Sequence, residues 1–80
     1  MMKIRVRLLG LLSKDVESYN HENGLEMDMP QGSTYGDIVT ALSLLPDKAG
    51  MFSVGGILKG RDEPVANGDE VHIFMPLAGG

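Results

Sequence analysis

Lys3-Ile4-Arg5-Val6-Arg7-Leu8 alternates cation and apolar residue without a break, and this period of two constrains the fold more than any other feature. Only an extended strand puts Ile4, Val6 and Leu8 on one face and Lys3, Arg5 and Arg7 on the other. Such a strand is half-buried, so another element must cover its apolar side. Leu25-Glu26-Met27-Asp28-Met29 repeats the alternation with carboxylates outward and is stopped by Pro30. Paired as a hairpin, the two strands set three cations against two carboxylates, worth about 0.2–1 kcal/mol for each opposed pair. Unpaired, these charges are simply solvated faces.

The stretch from Ser13 to Gly24 is polar and closes on Asn-Gly, which predicts a loop with room for one helical turn. Thr34-Tyr35-Gly36-Asp37 has the pattern of a helix start, the Thr34 hydroxyl set to accept from the Asp37 amide. Ile38, Ala41, Leu42 and Leu45 follow at helical spacing, and Pro46 ends the run, predicting a helix over 35–45. Met51-Phe52-Ser53-Val54 and Ile57-Leu58-Lys59-Gly60 read as two short strands around Gly55-Gly56. No Lys-Ser/Thr follows those glycines, so they form a turn and not a phosphate loop. Asn67-Gly68-Asp69 turns the chain into a last strand, Glu70-Val71-His72-Ile73-Phe74-Met75-Pro76. Met27, Met29, Met51 and Met75 are expected to fill gaps in the core.

Eighty residues supply one core. Its three apolar strand stripes and one helical stripe are buried most simply by a hairpin covered by a single helix, with a strand returning parallel to the first through a crossover. The expected architecture is therefore α+β, a β-grasp or ubiquitin-like roll: a mixed sheet with one main helix packed on it. Residues 1–76 form the domain, and 77–80 form a flexible tail.

A net charge of -4 argues against a surface that tracks phosphates, so nucleic acid is not an expected partner. The absence of cysteine removes disulfides, thiolate nucleophiles and thiolate metal sites. Two separated histidines, His21 and His72, leave no ligand set for a metal and read as surface or strand residues. Asp69 and Glu70 are adjacent and point to opposite faces of a strand, so they make no catalytic pair. No apolar run has the length of a membrane span or a signal peptide core, and the expected location is cytoplasmic.

What remains is the end of the sequence. Gly79-Gly80 follows the last strand closely; without side chains it can enter a narrow channel and present an unhindered carboxylate. The alternative is an end that frays, as termini commonly do. From Val65 to Gly80 the order of a Gly-Asp turn, a closing strand, Pro76, two variable residues and Gly-Gly resembles the molybdopterin synthase small subunit and the thiamine-pathway sulfur carrier. The resemblance extends to length and element order over the whole chain. It departs at Met75, where the molybdopterin subunit often has a second proline, and at Gly55-Gly56, where Asn-Gly is common.

The resemblance implies a non-catalytic sulfur carrier with no bound cofactor. ATP would be used by an adenylating, ubiquitin-activating-type enzyme to convert Gly80 to an acyl adenylate, and sulfur would replace the adenylate to give a thiocarboxylate. Gly79 would accompany it into the partner's active site. The recipient would be a synthase large subunit in the molybdopterin case or a thiazole synthase in the thiamine case. The polar insertion after the first strand and Ile73-Phe74 before the proline favour molybdopterin; carriers for tRNA thiolation and protein modifiers share the same ending. Phe74, Pro76, Leu77 and Ala78 are the expected partner-binding residues. Phe74 points outward with His72 if Val71, Ile73 and Met75 face the core, and inward if a bulge shifts the register. Leu77 packs either on a partner or back on the sheet.

Overall fold

The protein is described by a computed structural model over residues 1–17 and 19–75. Pro76, Leu77, Ala78, Gly79 and Gly80, and with them the proposed tail, lie outside the described residues.

Strands β1 (Met2–Leu8) and β2 (Leu25–Met29) form the expected antiparallel hairpin, with Arg5 opposite Glu26 and Lys3 opposite Asp28. The ion pairs are distributed differently from a rung-by-rung match. Lys3 and Arg5 both reach Glu26, at 3.6 and 3.3 Å, while Arg7 turns to Glu70 at 3.5 Å. These pairs are solvated and add little to stability.

The connection between the two strands is tied down along its length. Gly10–Asp15 form a 3₁₀ turn that drops Leu12 fully into the core. The Tyr19 hydroxyl accepts the Leu8 amide at 2.9 Å, occupying a ladder position beyond the end of β2. Arg5 and Arg7 donate to the Asn23 and Glu22 carbonyls. The polar stretch is thus held by Leu12 at its entry, by Val16 and Tyr19 packed against the core, and by the bonds that Tyr19, Arg5 and Arg7 make.

Helix α1 spans Tyr35–Ala41 and opens with both halves of a capping box: the Asp37 amide donates to Thr34 Oγ1 at 3.3 Å, and the Thr34 amide donates to Asp37 Oδ2 at 2.9 Å. It stops four residues before the expected end. Ser43 takes a left-handed φ of 57°, its amide donates to the Thr40 carbonyl, and the Leu44 amide donates back to Val39. This is a Schellman stop with serine where glycine is usual. The buried stripe is consequently Tyr35, Ile38, Val39 and Leu44, whereas Ala41 and Leu45 are exposed and Leu42 is half-buried.

Strand β3 (Met51–Val54) turns back through Gly55-Gly56 into β4 (Ile57–Lys59), with Val54 paired to Ile57. Both turn glycines have positive φ, 59° and 82°, the requirement of a two-residue hairpin turn that follows the sheet's twist. Strand β5 (Glu70–Phe74) lies parallel to β1 and antiparallel to β3. The mixed sheet runs β2-β1-β5-β3-β4, so the last strand sits at its centre. Val6, Ile38, Val71 and Ile73 are fully buried between the sheet and α1.

The turn before β5 is locked to the helix. Tyr35, 1% exposed, donates its hydroxyl to Asp69 Oδ2 at 3.1 Å, and the same oxygen accepts the Ala66 amide at 2.9 Å. Burial first, and the Asp69 carboxylate second, push the Tyr35 hydroxyl from its ordinary 10.0 up to about 12.

Candidate functional site

β5 is flanked by β1 on one side and β3 on the other, so it ends in the middle of the sheet, with Ile73 paired to both neighbours and Phe74 to β3. Val71 and Ile73 face the helix and are fully buried; His72 and Phe74, half-buried, face the open side of the sheet. The outward reading of Phe74 holds and the bulged one does not, since β5 pairs continuously with β3 from Val71 to Phe74. Met75 departs from expectation. It is 40% exposed because β5 ends at Phe74 and β1's pairing with it stops at Ile73, leaving no sheet over which Met75 can close the core.

The register assembles neighbours for Phe74 that lie far away in sequence. Met51 stands directly opposite it on β3, and Ser53 stands opposite His72. Because the two-glycine turn pairs Val54 with Ile57, Ser53 is opposite Leu58, which shares the open face and is 61% exposed. Phe74, Met51, Leu58 and His72 therefore occupy one face beside the exit of β5. On the other flank of that exit, Leu9, whose amide donates to the Ile73 carbonyl, is also substantially exposed. An aromatic residue with aliphatic neighbours on an exposed sheet suits protein docking.

Met51, expected in the core, is half-buried and belongs to this face; Met29 is buried and Met27 packs against the core, as expected. Leu58 had no role in the sequence reading, although counting back from the two-residue turn puts it on the Ser53 face. The remaining half of the open face is polar. Arg5, Arg7, Glu26 and Glu70 compensate one another there. His21 stacks edge-on against Tyr19 in the β1–β2 connection. Among the described residues, no three His, Cys, Asp or Glu side chains converge as metal ligands, and no helix is long and apolar enough to cross a membrane.

Fold and surface together define a small ubiquitin-like β-grasp protein whose last strand leads out from the middle of its sheet. The same fold is found in a Pyrococcus furiosus protein provisionally named molybdopterin converting factor, subunit 1, at 16% identity over 96% of this chain and 100% of that one, with a TM-score of 0.73. Small archaeal modifier protein 1 of Haloferax volcanii superposes with a TM-score of 0.70 at 19% identity, covering 96% of this chain and 100% of that one. A ubiquitin of Caldiarchaeum subterraneum matches over 99% of this chain and 98% of its own, with 20% identity and a TM-score of 0.60. No family model matches the sequence, and no curated protein matches it.

Proposed function

We propose that the protein is a sulfur carrier that acts through the Gly80 carboxylate, handed from an activating enzyme to a synthase. The observation that carries this reading is the position of β5: a central strand hydrogen-bonded to β1 and to β3 that ends at Phe74, six residues before Gly80, with Phe74, Met51 and Leu58 on one face near its end. An anchored strand next to an apolar docking face is what a carrier needs in order to present a short tail inside another protein.

The chemistry follows from the group presented. A carboxylate is a poor acyl donor because its leaving group would be oxide. Attack of a Gly80 oxygen on the α-phosphorus of ATP, with loss of pyrophosphate, gives an acyl adenylate. A sulfur nucleophile then displaces AMP, and the resulting thiocarboxylate donates sulfur in a synthase. This chain supplies the acyl group and the docking surface; the ubiquitin-activating-type enzyme supplies the nucleotide site and the sulfur relay. In the proposed assignment, Phe74, Pro76, Leu77 and Ala78 contact the partners, the sulfur goes to a pterin precursor of the molybdenum cofactor, and the work is done in the cytoplasm. Delivery to a thiazole precursor, or to tRNA, uses the same steps with a different recipient.

A second reading has support of its own in the match to an archaeal modifier protein over nearly the whole chain. Here Gly80 would be joined to lysines of target proteins. One variant tests whether the tail has chemistry at all, and a second separates the two readings. Adding one alanine after Gly80 should abolish both functions, and unchanged function would reduce the protein to a binding module. Higher-mass conjugates in cells that vanish on deletion of Gly79-Gly80 would favour the modifier over the carrier.

A further inference from the structure

We propose that the outer edge of β2 is a second docking site, taking an extended segment of a partner protein in which basic and apolar residues alternate. This goes beyond the carrier reading and does not depend on Gly80. The edge lies on the far side of β1 from the β5 exit.

Hydrogen-bond parity shows which backbone groups are open. The Arg5 amide donates to Asp69 and the Leu9 amide to Ile73, so the odd-numbered residues of β1 are directed at β5 and the even-numbered ones at β2. Met2, Ile4 and Val6 are therefore bonded to Met29, Met27 and Leu25. The N–H and C=O groups of Glu26 and Asp28 then point away from the sheet, and among the described residues they have no partner. Two consecutive outward positions present four ladder groups, enough to seat a short strand. The opposite edge is closed by comparison. On β4 only Leu58 points outward, and just beyond it both backbone groups of Gly60 are held by Glu63.

Side chains select the occupant. On the open face, Glu26 and Asp28 flank the edge, and Asp28 has no ion pair among the described residues. On the helix side, Leu25 and Met27 are only half-buried. An added strand would thus place cations over the carboxylates and apolar residues against Leu25 and Met27. β1 shows that this chemistry fits, since it satisfies the other side of β2 with Lys3 and Arg5 near Glu26 and with Ile4 and Val6 inward. A second copy is the wrong occupant: antiparallel pairing of two β2 edges opposes Glu26 and Asp28 to one another.

The test titrates isotope-labelled protein with an acetylated, amidated peptide of the sequence Lys3–Leu8, with a control peptide carrying Glu at its three basic positions. Amide shift changes should concentrate on residues 25–29, and the Glu26 and Asp28 amides should become protected from hydrogen exchange. Asp28→Lys, at an exposed position, should weaken binding about fivefold or more while leaving the spectrum otherwise unchanged. The proposal is overturned by shifts centred on Phe74, Met51 and Leu58, by equal binding to Asp28→Lys or of the acidic control, by self-association through β2, or by no shift at all.

Discussion

At the residue scale, two side chains join parts of the chain that the sequence does not visibly connect. Arg61 crosses the start of α1, donates to the Pro46 and Ala49 carbonyls, and lies over the Phe52 ring at 5.6 Å. Its stem explains Gly36, where a Cβ would sit 2.7 Å from Arg61 Cγ. Gly36→Ala should therefore lower stability by about 1 kcal/mol in spite of alanine's better helix propensity, and should raise it by about the same amount in an Arg61→Ala background. Denaturant unfolding of the four proteins of that cycle measures the coupling. Tyr35 makes the other link. Its hydroxyl is raised to about 12 in the folded state, so the unfolded chain loses this proton first as pH rises. The stability that Tyr35 contributes is complete below about pH 10 and is lost between about 10 and 12, amounting to about 2–3 kcal/mol across that window. Unfolding measured from neutral to alkaline pH should show this fall, and Tyr35→Phe should flatten it.

At the element scale, strand and turn are legible in the sequence because each is written in local chemistry. The alternation of β1 and β2, the Gly55-Gly56 turn and the Thr34–Asp37 cap all form as their residues dictate. The end of the helix was not legible, because the stop is made by a serine in a left-handed conformation instead of the glycine that signals it. Leu44 then replaces Leu45 in the core, and Leu45 is left 60% exposed. Ser43→Gly should relieve the backbone and raise stability by about 0.5–1 kcal/mol, read as a shift in the denaturation midpoint at unchanged slope. The 3₁₀ turn falls partly on the stretch expected to have room for a helical turn, but it begins at Gly10, three residues before that stretch, with Leu12 anchoring it in the core.

At the scale of the whole molecule, the proposed docking face is built by sheet register, which brings Met51, Leu58 and Phe74 together from three strands. Phase along β5 left Phe74 open between outward and core; the continuous pairing with β3 decides it, and its neighbours required the full strand order. Phe74→Asp should leave the fold intact, since the ring faces away from the core, and should weaken complex formation with an activating enzyme by about tenfold or more. An unfolded variant would contradict the placement of that ring. The most direct test of the carrier reading is the intact mass of the purified chain after incubation with its cognate activating enzyme, ATP and a sulfide donor. The expected result is a gain equal to the difference between one sulfur and one oxygen atom, localised to Gly80 and absent when ATP is withheld. An unchanged mass with an enzyme shown to bind this chain would contradict it.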